Sequence, residues 1–238
     1  LKSHAALPAT RLSRRSLIAG ALGCAANVAR GGAAWPAQTP GVARWVEGFR
    51  ARAINRGISE KTYNRVMHAL TPDSSVYAAV RSQPEFTEQT WQYINRRCSE
   101  WRVNTGKARA KEYASLLARV EKDYGVDRFT LLGLWGMESS FGDVVTNSKY
   151  MRPVIPSLAA LAYGEPRRRR YWEAELLNAL TIVERGWGQP DDMIGSWAGA
   201  MGHTQWMPEV WLRIGVDYDR DGRISPFGKP DDSLAGSA

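Results

Sequence analysis

Residues 125–142 read GVDRFTLLGLWGMESSFG, and this stretch predicts a helix that carries one acidic side chain near its end. Asp127 suits the N-cap, because its side-chain oxygen can accept hydrogen bonds from free amides in the first turn. Gly142 suits the other end, because glycine readily adopts the left-handed conformation that ends a helix. The residues between them are apolar on nearly every face, so we expect a helix without a solvent face, inside the domain.

Glu138 is the acidic side chain of this helix and the first candidate for catalysis. Leu131, Leu134 and Trp135 precede it by seven, four and three residues, so helical spacing places all four on one stripe. We therefore expect Glu138 to be buried among apolar neighbours. Burial disfavours a charged carboxylate and raises its pKa, which keeps a glutamic acid protonated for use as a proton donor. The helix alone leaves open that Glu138 is a structural acid satisfied by hydrogen bonds.

The rest of the chain also follows helical spacing, and the alternation typical of strands is absent. The 238 residues, 44% of them hydrophobic and 24% charged, suit a globular protein with a real core. The other predicted helices begin near Val42 and at Ser59, or cover 87–102, 107–124, 156–162 and 171–185. The helix over 87–102 carries an apolar stripe of Trp91, Ile94, Cys98 and Trp101. The predicted fold class is therefore mainly α, with little or no β-sheet.

The basic charge lies mainly at the N-terminus. Residues 1–34 contain five Lys and Arg residues and no Asp or Glu, and subtracting these five from the formal net charge of +8 leaves +3 for the rest. This distribution removes most of the support for a nucleic-acid partner. The sequence SRRSLI at 13–18, a mild apolar run to residue 29 and small residues at 31–34 resemble a twin-arginine export signal, which predicts a periplasmic protein. A disordered basic tail is the alternative.

Residues 35–41 form a Pro-containing linker in this interpretation, and 42–238 form the principal domain. Cys24 ends the sequence ALGC, a weak signal for lipoprotein cleavage, and its lipidation would associate the protein with the outer membrane. Cys98 is the other cysteine, so a disulfide scaffold is excluded. The chain starts without Met and stops without a recognisable closing element, and we therefore expect a fragment that is truncated at its C-terminus.

Small residues dominate the sequence SWAGAMGHTQWMP at 196–208. Gly199, Ala200 and Gly202 let the backbone come close to a neighbouring helix or to a ligand. Gln205 can both donate and accept hydrogen bonds, which suits the acetamido and hydroxyl groups of a sugar. Composition alone favours tight packing. The ten Trp residues of the chain would suit a groove that stacks sugar rings, although we expect most of them in the core.

Residues 217–224 read DYDRDGRI and form the first half of an EF-hand calcium loop. The alternating carboxylates are Asp217, Asp219 and Asp221. Hard oxygen ligands must converge on one cation, and Gly222 permits the sharp turn. The twelfth position is Gly228 instead of Glu, so Asp231 and Asp232 compete to close a longer loop. A solvated acidic turn is the alternative, and a bound Ca²⁺ would be structural because it polarises water poorly.

These motifs, in this order and spacing, resemble those of the lytic murein transglycosylase B family, which has a lysozyme-like, mainly α fold. The resemblance runs from about Val42 to the last residue, and Arg167-Arg168 after Glu165-Pro166 is similar to the family's Tyr-Pro-Arg-Arg segment. It implies an enzyme, a peptidoglycan lytic transglycosylase. This enzyme cleaves the β-1,4 bond between N-acetylmuramic acid and N-acetylglucosamine without water. The rivals are a hydrolytic muramidase and a non-catalytic peptidoglycan-binding module.

The resemblance also implies a mechanism with one carboxyl group. Glu138 would protonate the glycosidic oxygen, and the substrate's own N-acetyl group would stabilise the cationic centre. As a carboxylate, Glu138 would then accept the proton of the muramic C6 hydroxyl while a 1,6-anhydro ring closes. A two-carboxylate glycosidase needs a second acid near the bond, whereas a substrate-assisted one does not. Asp143 is the nearby spare acid, and no catalytic cofactor is expected.

By the same resemblance, Ser196 and Gln205 line the cleft, and Tyr93 hydrogen-bonds near the catalytic centre. Arg167 and Arg168 would meet the anionic stem peptide. The implied calcium ligands are Asp217, Asp219, Asp221, the backbone carbonyl of Arg223 and Asp232, which the family's Pro-x-Asp spacing prefers over Asp231. The implied partner is the peptidoglycan glycan strand, bound by a monomer.

The chain departs from the family pattern at two places. His203 and Trp206 replace the usual aromatic residue and Phe in the Gln205 motif, and we expect them to retune the sugar site without abolishing it. In the family an Asn-Tyr pair follows the position of Ala238, and its Tyr belongs to the active site.

Overall fold

A computed structural model describes residues 39–81, 89–147 and 149–238 of the chain. The predicted export signal at 1–34 and residues 35–38 of the predicted linker lie outside these ranges. Within them, no helix has both the length and the apolar character needed to cross a membrane.

Helices make up most of the described structure, and the mainly α prediction is confirmed. The α-helices are α1 (Pro40–Asn55), α2 (Glu60–Met67), α3 (Val76–Arg81), α4 (Thr90–Arg97), α5 (Glu100–Glu112), α6 (Ala114–Tyr124), α7 (Arg128–Ser139), α8 (Val154–Gly164), α9 (Arg169–Glu184), α10 (Pro208–Ile214) and α11 (Asp231–Ser237). A 3₁₀ helix covers Pro166–Arg168. Two short strands, β1 (Arg152–Pro153) and β2 (Ile194–Gly195), pair antiparallel with Arg152 opposite Gly195.

Two hydrophobic clusters form the core of the described structure. The larger cluster surrounds the packed pair α8 and α9 and includes the buried faces of α1 and α2. The smaller cluster joins α6 and α7 to α11 through buried residues such as Leu117, Trp135 and Leu234. Helix α7, which carries Glu138, therefore belongs to the smaller cluster and packs against α5, α6 and α11.

Helix α1 begins close to the predicted start near Val42, whereas two other predicted helices are each broken in two. Helix α1 begins at Pro40, inside the predicted linker, because the Thr39 side chain accepts from the Val42 amide and Pro40 occupies the first turn. The predicted helix over 87–102 breaks at Cys98, where φ is −104° and ψ is 34°, and Ser99 caps the next helix. The predicted helix over 107–124 breaks at Tyr113, whose ring meets Trp135 edge to face at 5.2 Å.

The apolar stripe predicted over 87–102 does not face the core. Trp91, Ile94 and Trp101 are 62%, 51% and 53% exposed, and Cys98 is exposed as well. The break at Cys98 places Trp101 on a different helix from Trp91, and α4 contributes no buried residue. The expectation that most tryptophans belong to the core is nevertheless confirmed for the described residues. Those that are buried or pack against the core are Trp45, Trp135, Trp172, Trp187, Trp197, Trp206 and Trp211.

Candidate active site

Helix α7 begins and ends through features that the sequence carries locally. The Asp127 carboxylate accepts from the amides of Phe129 at 3.1 Å and Thr130 at 2.8 Å, so the predicted N-cap is confirmed. The helix ends earlier than predicted, at Ser139. Ser140, Phe141 and Gly142 all have positive φ, at 53°, 61° and 91°. This turn folds the Phe141 ring under the helix, where a Cβ at Gly136 would lie 2.5 Å from it.

The prediction that Glu138 is buried on a helix without a solvent face was wrong. Leu131, Leu132, Trp135, Gly136 and Ser139 are buried and share one side of α7. Phe129, Gly133, Leu134 and Glu138 are exposed and share the other side. The helices α5, α6 and α11 cover only the first of these sides, so the second remains open although its residues are largely apolar. Glu138 therefore lies at the edge of an accessible apolar surface.

The pKa of Glu138 is nonetheless raised above the ordinary value for a glutamic acid. Removal of water by the surrounding side chains is the main cause, and the positive charge of Arg97 opposes it. The side chain remains exposed to solvent, so a large substrate could reach it. A carboxyl group with a raised pKa and an open side can donate a proton to a ligand and later accept one.

Two arginines of the neighbouring helices, Arg97 and Arg102, bond to residues at the end of α7. The Arg97 guanidinium stacks on the Tyr93 ring at 5.3 Å and donates to the carbonyl of Met137 at 3.3 Å. Arg102 donates from Nη2 to Ser140 Oγ at 3.1 Å and from Nη1 to the carbonyl of Arg97 at 3.0 Å. Arg97 thus links the predicted Tyr93 to Met137, the residue before Glu138. Sequence reasoning missed both arginines, although Arg97 follows Tyr93 at helical spacing.

The Gln205 motif reaches the same turn through one short hydrogen bond. Ser139, the residue after Glu138, donates from Oγ to the carbonyl of His203 at 2.6 Å. Gln205 has a positive φ of 52°, and its side chain donates to the carbonyl of Gly202 at 3.0 Å. Ser196 closes the start of this motif, because its Oγ accepts from the amide of Ala200 at 3.1 Å.

The two residues at which this motif departs from the family pattern have buried side chains. His203 and Trp206 are 8% and 2% exposed. The Trp206 indole donates to Ser237 Oγ at 2.9 Å, and the His203 ring lies against Trp135. The expectation that these two residues retune the sugar site stays a prediction, and both side chains are buried.

Arg167 and Arg168 lie in another part of the structure. Both are exposed on the 3₁₀ helix, which packs against α8 and α9. Arg168 stacks on Tyr171 at 4.4 Å and on Trp172 at 4.8 Å. Among the described residues, no hydrogen bond or ion pair joins either arginine to α7.

The three acids of the predicted calcium loop converge. One carboxylate oxygen from each of Asp217, Asp219 and Asp221 lies within 4.8 Å of the others. The turn is held by hydrogen bonds from the amides of Asp221 and Gly222 to the two oxygens of Asp217, both at 3.0 Å. Three hard oxygen donors at this spacing fit a cation such as Ca²⁺. Lys229 lies beside them, with Nζ 3.3 Å from Asp219.

The structure separates the two candidates that could close this loop. Asp232 is buried and accepts from the amides of Tyr218 at 2.7 Å and Ser225 at 2.9 Å, so it bridges both ends of the loop. Asp231 instead faces Arg119 of α6, at 3.8 Å. The position of Asp232 fits the role that the resemblance implied, although its carboxylate does not belong to the group of three converging acids.

Comparison with known proteins places these motifs in one family. Residues 41–238 match the family model described as the transglycosylase SLT domain. The chain belongs to this family. It is also 32% identical over 123 residues, 52% of its length, to the membrane-bound lytic murein transglycosylase B of Escherichia coli K12, of which the match covers 33%. The resemblance drawn from the motifs is confirmed.

Solved structures of the family share the fold. SltB3 from Pseudomonas aeruginosa, in complexes with NAG-NAM-pentapeptide and with NAG-anhNAM-pentapeptide, matches 84% of this chain with a TM-score of 0.76 and 40% identity. SltB1 from the same species matches 83% with a TM-score of 0.71 and 26% identity. The lysozyme-like fold is thereby confirmed. The matched part spans 52% of SltB3 and 64% of SltB1.

Proposed function

We propose that this protein is a peptidoglycan lytic transglycosylase, which cleaves the β-1,4 bond between N-acetylmuramic acid and N-acetylglucosamine and leaves 1,6-anhydromuramic ends. One observation carries the proposal: Glu138, an accessible acid with a raised pKa, lies between Met137, which accepts from Arg97 of α4, and Ser139, which donates to His203 of the Gln205 motif. The names of the relatives support the substrate class. Complexes of SltB3 contain both NAM and anhNAM fragments.

Glu138 acts first as acid and then as base in this proposal. Its raised pKa keeps the proton available for the glycosidic oxygen. Once the bond breaks, the same carboxylate accepts the proton of the muramic C6 hydroxyl, which attacks the anomeric carbon. The N-acetyl group of the substrate stabilises the positive charge at that carbon in between. No water enters the products.

Asp143 is the acid that a conventional two-carboxylate mechanism would use. It follows the left-handed turn, and its Oδ1 accepts from Arg109 Nη2 at 3.4 Å on the α5 side. This ion pair holds the carboxylate toward α5. We therefore assign it no catalytic role.

The glycan strand binds along the exposed side of α7 in the proposed complex. Tyr93 contributes contacts to the glycan from α4, and Ser196 and Gln205 contribute contacts from the Gln205 motif at 196–208. Arg167 and Arg168 are exposed cations that could meet an acidic stem peptide at a distance from the scissile bond. The protein works as a periplasmic monomer in this proposal, and lipidation of Cys24 would add an outer-membrane anchor.

A structural Ca²⁺ completes the proposal. Asp217, Asp219, Asp221, the carbonyl of Arg223 and Asp232 would hold it. Its charge would offset most of the repulsion among the three converging carboxylates and fix the loop between α10 and α11, without contact to the reacting atoms.

Digestion of purified sacculi tests the reaction. Products analysed by mass spectrometry should be lighter by one water than the muropeptides of a hydrolytic muramidase. Hydrated products alone would contradict the proposal and favour the muramidase.

Two matched carboxyl-to-amide variants test the roles of the acids. Glu138→Gln should abolish lysis while sacculus binding persists, whereas Asp143→Asn should retain most of the lytic activity. Retained lysis in Glu138→Gln would remove Glu138 as the acid. If the parent binds sacculi without lysis, the protein is a binding module.

A further inference from the structure

His203 joins the catalytic helix to the segment that follows the acidic loop. Its ring is buried between the Trp135 indole and the backbone at Gly228. Trp135 Nε1 donates to His203 Nδ1 at 3.1 Å, and His203 Nε2 lies 2.8 Å from the carbonyl oxygen of Gly228. An indole N–H can only donate and a carbonyl can only accept. The two partners therefore require a neutral imidazole with its proton on Nε2.

The backbone of His203 makes a second pair of bonds to the same two segments. Its amide donates to the carbonyl of Pro226 at 3.0 Å, and its carbonyl accepts from Ser139 Oγ at 2.6 Å. Trp135 and Ser139 are one helical turn apart on the inner side of α7, and they flank Glu138 in sequence. One residue thus fixes α7 at two points around the catalytic acid.

The His203 ring is closely packed on two sides, by Gly142 and by Trp135. Gly142 has a φ of 91°, and a Cβ there would lie 2.8 Å from both Cε1 and Nδ1 of His203. The Trp135 ring meets the imidazole at 71° with 5.6 Å between centroids. The turn after Glu138 therefore closes directly over the imidazole.

We propose that His203, as the neutral Nε2–H tautomer, is a positioning residue that sets the rotation of α7 and thereby the placement of Glu138 in the cleft. The inference rests on the proposed function. His203 makes no contact with substrate in this role. It acts through Trp135 and Ser139, and it ties them to the segment 226–228 that precedes Asp232.

A rotation of a few degrees or a shift of about 1 Å at a catalytic group can cost on the order of a hundredfold in rate. Loss of the His203 contacts should therefore lower kcat more than it raises KM. It should also expose Glu138 further to water, and the Glu138 pKa should fall toward its ordinary value.

His203→Phe keeps the ring and removes both polar atoms, whereas His203→Gln keeps a donor and an acceptor. We expect His203→Phe to lower kcat about ten- to hundredfold with KM within about threefold of the parent, and His203→Gln to retain more activity. The exposed His68, at the C-cap of α2, supplies the control His68→Gln, which should leave kcat unchanged. Parental kcat in a folded His203→Phe variant would overturn the inference, as would less activity in His203→Gln than in His203→Phe.

Nitrogen-15 NMR of the imidazoles tests the tautomer in the full chain without any substrate. We expect an unprotonated Nδ1 and a protonated Nε2 for His203 at neutral pH, and a shift of the Trp135 indole resonance in His203→Gln. A proton on Nδ1 would overturn the inference. If the parent lacks lytic activity, the proposed function fails, while the tautomer and the Glu138 pKa, followed by carbon-13 NMR, still decide the positioning role. If His203→Phe does not fold, the tautomer in the parent and the Glu138 pKa in His203→Gln decide it.

Discussion

At Glu138, two effects act on the carboxyl group in opposite directions. Loss of water raises its pKa, and the positive charge of Arg97 lowers it. The proposed mechanism needs the protonated form at the start of the cycle, so activity should decline as pH rises through the pKa of Glu138. Arg97 should consequently limit how far into the alkaline range the proposed activity extends.

Removal of the Arg97 charge should shift this alkaline decline to higher pH. Arg97→Gln disfavours the Glu138 carboxylate, so its pKa rises and the proton is retained longer. The measurement is kcat/KM against pH on solubilised glycan strands. Arg96→Gln is the control, because it removes a neighbouring positive charge that also stacks on Tyr93, at 5.6 Å. A shift to lower pH in Arg97→Gln would contradict this account.

The two glycines near the ends of α7 should respond differently to alanine. Gly125 and Gly142 both have positive φ, but a Cβ at Gly125 meets nothing within 4 Å, whereas one at Gly142 meets His203. Gly125→Ala should cost about 1 kcal/mol of unfolding free energy from backbone strain alone. Gly142→Ala should cost about 2–4 kcal/mol, because overpacking adds to the strain. Urea denaturation measures both, and equal losses would contradict the packing around His203.

At the scale of elements, one side of α7 is buried and the other is exposed, although both sides are largely apolar. Its covered side carries Leu131 and Trp135, while Phe129 and Leu134 are 66% and 37% exposed on the open side. An open apolar side beside an acid suits the face of a sugar ring, which stacks on apolar surface.

Truncation of one large apolar residue on each side of α7 should show that the covered side contributes to stability and the open side does not. Leu131→Ala removes a side chain that is 2% exposed and should destabilise the protein by about 2–4 kcal/mol through the cavity it leaves. Phe129→Ala should change stability by less than about 0.5 kcal/mol, because the ring is largely in solvent. Thermal or urea unfolding provides the comparison. A large loss at Phe129 would show that another part of the protein covers this side.

At the scale of the whole molecule, the acidic loop links α10 to α11, and α11 packs on α6 and α7. A cation bound in the folded loop but not in the unfolded chain must raise stability. Free Ca²⁺ at about a hundredfold excess over its Kd should add about 2.7 kcal/mol. Calorimetric Tm values with Ca²⁺ and with a chelator measure this effect.

Two aspartate variants locate the cation. Asp219→Ala should lose the Ca²⁺-dependent rise in Tm, because Asp219 supplies one of the three converging oxygens. Asp191→Ala removes an exposed acid outside the loop and should keep the full response. An unchanged response in Asp219→Ala would rule out the loop as the site.

The sequence by itself determined the helical class, the Asp127 cap, the convergence of the three loop aspartates and the motifs that place the chain in its family. Caps and turns depend on neighbours within about four residues, so they can be read locally. Only the tertiary structure decided that Glu138 is exposed, that Asp231 turns to Arg119 while Asp232 bridges the loop, and that His203 packs against Trp135 of α7. These features depend on segments distant in sequence. Glu138 is exposed because the helices α5, α6 and α11 cover the other side of α7. Both sides of α7 are largely apolar, so the local sequence does not show which side is covered.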